Sequence, residues 1–316
     1  MTAPTAPVSP TDVARWLFWG PMRQAMHPGT PRRIAMARQA WRLQWATAGQ
    51  RRALMADEYR RCFGDAFTDS EVQQLVRDAY EVGWRTHLEE LLLEKLTPDN
   101  IEQWFRFDGI DHLEDALSRG KGVVWVYPHA GPVMMMIAGL VHAGFPYTQY
   151  AARGLPPVEV AKDHPELLAS NWFRAKVREV RERNEDSLPA QYITLNTPVR
   201  ELVRRLGNNE VVGLAYDGRI GQGWWATNYL NRRALLSPGP YKLAVMSGAT
   251  VVPVFCHSLK DGPGVCEVGA PIEPGKDWEA LAAKVLRIES AWIRRYPAEY
   301  GIWMLHARVR NGIDDH

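Results

Sequence analysis

The sequence predicts an α/β fold: a mixed, mostly parallel sheet flanked by helices, with an N-terminal helical layer. Three observations carry that expectation. Short continuous apolar runs bounded by turn residues, such as Val123-Val124-Trp125-Val126-Tyr127 and Val211 to Tyr216, read as strands buried on both faces. Helical segments separate those runs, the alternation that builds parallel sheets. The first third of the chain holds no such run and carries apolar stripes at helical spacing instead.

The chain divides into a lead over residues 1–11, a helical region over 12–104 and an α/β core over 105–316, all in one integrated domain. The lead is rich in Pro, Thr and Ala, without the basic start and apolar centre of a signal peptide, and is expected to be disordered. From Asp12 to Met26 runs an amphipathic stretch, VARWLFWGPMRQAM, whose Trp16, Leu17, Trp19 and Met22 lie among Arg15 and Arg23. Aromatics beside arginine suit either a membrane interface or docking on the protein's own core. His27 to Pro31 breaks the pattern, and Arg33 to Phe63 is helical and proline-free. Thr68-Asp69-Ser70-Glu71 is a capping box opening a long helix. Val72, Leu75, Val76, Ala79, Val82 and Leu88 form its apolar stripe, and Pro98 lies beyond its expected end near Leu96.

The period then changes. Phe105 to Asp108 reads as a short strand, Asp111 to Arg119 as a short helix and Gly120-Lys121-Gly122 as a turn before the Val123 strand. Pro132 to Val141 is a helix, Phe145 to Ala152 a strand and Pro165 to Asn184 a charged helix. Tyr192 to Thr194 is a strand and Pro198 to Leu206 a helix, followed by the Val211 strand. Pro240 to Met246 is a helix, Thr250 to Cys256 a strand with a hairpin partner near Gly264 to Val268, and Trp278 to Arg295 the last helix read.

Composition removes several classes. With 38 basic and 36 acidic side chains the formal charge is +2, too little to hold nucleic acid by bulk charge. Cys62, Cys256 and Cys266 are too few and scattered for a disulfide framework or a CxxC metal site, which fits a reducing compartment. The longest apolar run, Pro132 to Phe145, is interrupted by His142 and falls short of the roughly 18 residues a spanning helix needs. His87, His142, His257 and His306 lack metal-ligand spacing, so no metal is expected. The 13 Trp residues point to interfacial or apolar-ligand surfaces.

In open α/β sheets the working groups lie beyond the carboxyl ends of the strands. Two strand ends carry candidates. His129, in Tyr127-Pro128-His129-Ala130-Gly131-Pro132, follows one buried strand and precedes a helix, a place suited to a base. Asp217, in Tyr216-Asp217-Gly218-Arg219, puts a carboxylate at the end of another.

The order of these segments resembles the lysophospholipid acyltransferase superfamily, and within it the lipid A biosynthesis (lauroyl-type) branch. Arg61-Cys62-Phe63 with Phe67 to Glu71 resembles the family's "CFP-x-LSE-x-E" segment, and Asp108 to Glu114 through Gly120 to Val124 the lead into its active-site strand. His129 falls on the His of the H-x4-D/E box. Leu202 to Asp217 is similar to the segment ending in "DQ", with Gly218 in place of Gln. Tyr229 to Arg232, Ser237 to Pro240 and Ser247 to Phe255 resemble its "FG…TP-x-G…TGA-x-VVP-x-F" block, and Arg295 to Trp303 its "YP-x-QW-x-W" end.

The resemblance implies that His129 acts as general base in moving an acyl group from a coenzyme A or acyl-carrier-protein thioester to a hydroxyl or amine acceptor, on a lipid-A-type lipid or a natural-product intermediate. Neither a covalent acyl-enzyme nor a cofactor beyond the thioester is implied. One departure stands out: the acid five residues after His129 is replaced by Met134. Three readings follow, in which Asp217 supplies the acid, His129 acts alone on an easier acceptor such as an amine, or catalysis is lost and the fold binds a lipid or partner. A thioester hydrolase is a further class.

Arg232, before the Ser-Pro-Gly turn, is a candidate for substrate phosphate, and Arg153, after the Tyr150 strand, is a candidate for substrate binding because the resemblance implies an arginine near the site there. Met134 is a candidate for an acyl pocket, and Trp224 and Trp225, in a Gly-rich segment read as mobile, for substrate or membrane contact. The run Arg174, Lys176, Arg178, Arg181 and Arg183, alternating with Glu179, Glu182 and Glu185, reads as a salt-bridged exposed helix able to dock an acidic carrier protein. The resemblance implies an anchoring transmembrane helix, in whose place only the Trp-rich amphipathic stretch is expected here. The expectation is a cytoplasmic protein, peripheral on the inner membrane face through its Trp-rich N-terminal stretch.

Overall fold

A computed structural model describes residues 5–151, 169–194, 196–218, 223–258 and 262–311. Nine strands are defined among them: β1 (Phe105–Asp108), β2 (Val123–Tyr127), β3 (Tyr147–Ala151), β4 (Gln191–Thr194), β5 (Val211–Ala215), β6 (Trp225–Tyr229), β7 (Arg232–Leu236), β8 (Thr250–Ser258) and β9 (Gly264–Val268). Seven form one sheet in the order β1-β9-β8-β2-β5-β3-β4. The run from β8 to β4 is parallel, β9 turns back antiparallel on β8, and β1 lies parallel to β9, giving the mixed sheet the sequence predicts. Strand β2 is central and wholly buried. Its alternating side chains feed two cores: Val124 and Val126 face one, and Val123, Trp125 and Tyr127 the other.

The helices fall close to their expected places. Thr68 and Glu71 cap the Asp69–Glu90 helix reciprocally, but the helix ends at Glu90, and Leu93–Lys95 continues only as a 3₁₀ turn. Val133–His142, Val199–Gly207, Gly239–Ser247 and Trp278–Arg295 cover the sheet. Two elements go beyond the sequence reading. The Trp224-Trp225 segment, expected as a mobile loop, enters a two-stranded antiparallel ribbon, β6–β7. Its two-residue turn, Leu230-Asn231, takes φ of 50° and 56°, the left-handed turn that suits a tight hairpin although no Asn-Gly pair signals it. The chain also ends in a further helix, Pro297–Asn311.

The N-terminal stretch docks on the protein. Ser9 caps a helix over Pro10–Leu17, and Thr5 and Ala6, within the lead read as disordered, pair with Ser170. The buried Asp12 carboxylate accepts from Arg174 at 2.9 Å and Asn171 at 3.0 Å. Those bonds, the Arg174 one foremost, hold its pKa far below the usual carboxylate range. Trp16 packs on Trp172 and Phe173, Phe18 on Trp84, and Trp19 is buried beneath the Arg181 guanidinium. Most of the aromatic excess at this end is therefore internal packing. Among the described residues no helix is long and apolar enough to cross a membrane.

Candidate active site

Strand register builds the site. Strands β2 and β5 are parallel neighbours with Tyr127 opposite Ala215. His129 and Asp217 each lie two residues beyond those partners, so the two chain ends deliver them side by side. Asp217 Oδ1 lies 2.6 Å from His129 Nδ1, and Asp217 Oδ2 accepts the His129 backbone N–H at 2.9 Å. The second bond fixes the carboxylate by main chain. The first assigns the ring proton to Nδ1, because a carboxylate oxygen only accepts, and so leaves the Nε2 lone pair free. Asp217 is 3% exposed, whereas His129 is half-buried.

The turn after His129 requires glycine. Gly131 has φ of 59°, and a Cβ there would lie 2.3 Å from the Cys256 carbonyl oxygen, a backbone atom of β8 that cannot swing aside. Its N–H donates to the Glu299 carbonyl at 3.2 Å. Through that bond the C-terminal helix closes the site. Trp303, on the same helix, stacks on the His129 ring with centroids 4.0 Å apart and planes at 16°. Its indole N–H donates to the Asp217 carbonyl at 3.3 Å.

His129 opens onto a groove of about 690 Å³. Val133, Met134 and Ile137 give it an apolar wall, so the residue standing where the H-x4-D acid is expected does face the site. Tyr127 and Gln149 add a polar patch, their side chains hydrogen-bonded at 2.8 Å; burial raises the Tyr127 phenol well above its ordinary pKa, keeping it neutral. Opposite lies the Trp172–Asp186 helix; the start expected at Pro165 lies outside the described residues. Arg174, Arg178, Arg181 and Glu185 share one face at spacings of four, three and four, and line the groove. Lys176, Glu179 and Arg183 pair on the outer face. The outer face is thus the exposed salt-bridged surface that the sequence predicts, while on the groove face Arg174 pairs with Asp12.

The other predicted residues separate. Arg232 does not line the groove; its guanidinium pairs with the fully buried Glu58 carboxylate. Trp225 packs edge-on against Trp278 at 5.4 Å, while Trp224 is exposed, both outside the groove. Arg153 lies outside the described residues, as do Arg219 and the side chain of His306. His257 pairs with Glu267 at 3.1 Å and stacks on Tyr296. Among the described residues no cluster of His, Cys, Asp and Glu can hold a metal ion. Sequence reasoning gave no role to Trp303 or Glu299; both lay in a stretch read only as a family motif, and helical spacing from Pro297 would have placed them on one face.

The chain is similar in sequence to known acyltransferases. The chain is 27% identical over 191 residues to a phosphatidylinositol mannoside acyltransferase of Mycolicibacterium smegmatis, covering 60% of this chain and 58% of that protein. It is 29% identical over 148 residues to a protein of the same name from Mycobacterium tuberculosis, covering 47% of this chain and 42% of the relative. The matched stretch is thus about half the length of these relatives. The bacterial lipid A biosynthesis acyltransferase family matches residues 13–311, nearly the whole sequence, and the chain belongs to that family.

Proposed function

We propose that this protein is an acyltransferase that moves an acyl group from a thioester of coenzyme A or acyl carrier protein to an acceptor hydroxyl, with His129 as general base and Asp217 as the acid that orients it. The observation that carries the reading is the His129–Asp217 pair at the head of the groove. His129 Nε2 takes the acceptor proton as the acceptor oxygen attacks the thioester carbonyl carbon. The tetrahedral intermediate then collapses, the C–S bond breaks, and the imidazolium returns the proton to the leaving thiolate. Asp217 stabilises the imidazolium between those steps. The apolar wall with Met134 suits an acyl chain. Arg15 and Arg178, which make no ion pair among the described residues, suit the phosphate of the donor or of a glycolipid acceptor. The names of the relatives support a glycolipid hydroxyl over an amine. Leu17 and Trp172, exposed where the N-terminal helix meets the groove-lining helix, suit peripheral contact with the lipid surface that holds such an acceptor.

The test is turnover of acyl-CoA and acyl-carrier donors with glycolipid acceptors, in the wild-type protein and in His129→Ala. Transfer that drops to background in a folded variant supports the reading, and unchanged transfer overturns it. Release of free fatty acid without acceptor identifies a thioester hydrolase instead. Binding of donor with no product in the wild type identifies a non-catalytic lipid-binding protein.

A further inference from the structure

One carboxyl group at the groove has no part in that mechanism. Glu299 stands in the first turn of the Pro297–Asn311 helix, is 9% exposed, and lines the groove together with His129. Its Oε1 accepts the Ser258 N–H at 2.7 Å. Its Oε2 is buried with no hydrogen-bond partner among the described residues. That oxygen lies against Gly131, 3.1 Å from where a Cβ would stand, two residues past the base.

We propose that Glu299 serves as a neutral carboxylic acid whose Oε2–H donates to the acyl carbonyl oxygen as that oxygen gains charge. The inference rests on the acyl-transfer reading and supplies what it lacks, a donor for the oxyanion. The arrangement is self-consistent. An ionised carboxylate would leave Oε2 as a buried, unpaired charge, whereas the acid has one acceptor oxygen already matched by Ser258 and one donor hydrogen to offer. The charged and titratable groups around it do not reverse this. The Ser258 N–H and Arg85, on the Asp69–Glu90 helix, favour ionisation, but Arg85 also bonds Glu89 at 2.6 Å and the Gly262 carbonyl at 2.6 Å, and the Glu89 charge opposes ionisation. Tyr59 spends its hydroxyl on the Pro297 carbonyl at 3.0 Å, and His129 is held by Asp217. Burial is the largest influence and pushes the Glu299 pKa up to about 8. The donor is therefore present at neutral pH and lost above it, where the carboxylate would repel the oxyanion.

The decisive experiment compares the pH dependence of kcat in wild type, Glu299→Gln and Glu299→Leu. Wild-type kcat should fall above about pH 8. Gln, a donor at every pH, should keep neutral kcat within a few-fold and remove that alkaline fall. Leu should lower kcat about 10²–10³-fold, as loss of an oxyanion donor does, with KM little changed. An alkaline fall that persists in Glu299→Gln, or a folded Glu299→Leu with wild-type kcat, overturns the inference. Difference infrared spectroscopy reads the group without turnover and settles the case if Leu does not fold: a protonated-carboxyl band titrating near pH 8 and absent from Gln is expected, and its absence from wild type overturns the inference. Failure of the wild type to transfer acyl groups from any donor sinks the acyl-transfer reading and this role together. Transfer with an unaltered alkaline limb in Glu299→Gln sinks only the latter.

Discussion

The indole of Trp303 lies flat on the His129 imidazole, centroids 4.0 Å apart, while its N–H reaches the Asp217 carbonyl at 3.3 Å. One side chain from the C-terminal helix thus touches both members of a pair that the sheet alone brings together. A ring stacked on an indole face keeps its orientation, and a positive ring gains from the indole quadrupole by about 0.5–2 kcal/mol. Trp303→Ala should therefore lower kcat by roughly 2- to 30-fold. Trp303→Phe, which keeps an aromatic face and gives up the long hydrogen bond to the Asp217 carbonyl, should remain within a few-fold of wild type. Steady-state kinetics on both variants checks this; equal losses in the two would place the effect in the hydrogen bond and not in the stack.

Asp217→Asn tests the orienting acid. The amide can present its NH2 to Nδ1, which forces the ring proton onto Nε2 and removes the base while leaving the shape intact. Loss of the equivalent group in serine-protease triads costs about 10⁴ in rate, and a fall of about 10³–10⁴ in kcat is expected here, with an unaltered circular-dichroism spectrum. A variant that keeps wild-type kcat would mean that His129 needs no carboxylate, the reading in which it acts alone on an easier acceptor.

The His129–Asp217 pair was legible because it rests on sheet geometry: two buried strands of similar length, each followed by a polar residue at the same offset, become neighbours once β2 and β5 pair. What covers that pair was not legible. Trp303 and Glu299 reach the site from more than 80 residues away in sequence through a helix whose register no local pattern ties to the sheet. Arg174, Arg178 and Arg181 follow the same logic. Periodicity puts them on one helix face, but only packing against the Pro10–Leu17 helix and the Phe18–Met22 and Leu93–Lys95 turns decides that this face meets the groove. Arg232 shows the converse. An arginine before a Ser-Pro-Gly turn has the chemistry of a phosphate ligand, and Glu58, 174 positions earlier, engages it first.

That ion pair gives a prediction of its own. Glu58 is fully buried, so Arg232→Ala would take the guanidinium away from a carboxylate in the core, a change that costs about 3–5 kcal/mol. The melting temperature should fall substantially while KM for the thioester donor in the remaining folded protein stays near wild type. A paired Glu58→Met, Arg232→Met variant, with both charges removed, should recover most of the loss. A rise in KM without a loss of stability would instead make Arg232 a substrate ligand.

Glu289 makes stability depend on pH. It lies on the Trp278–Arg295 helix, is fully buried, and has no geometric hydrogen-bond partner for either carboxyl oxygen among the described residues. Burial raises its pKa well above the ordinary carboxylate value, and the nearby Asp217 charge raises it further. The folded state thus holds the proton more tightly than the unfolded state. The resulting stabilisation is complete below the unfolded pKa near 4.5 and is lost as pH rises through the folded pKa, at up to about 1.4 kcal/mol per pH unit for this group. Glu299, raised to about 8 for the same main reason, contributes in the same direction. Chemical denaturation of the wild type from pH 5 to pH 9 should therefore show falling stability, and Glu289→Gln, which cannot ionise, should show a shallower slope and the larger relative gain at the alkaline end. Parallel slopes for the two proteins would mean that Glu289 is paired in the fold by a group that neutralises it.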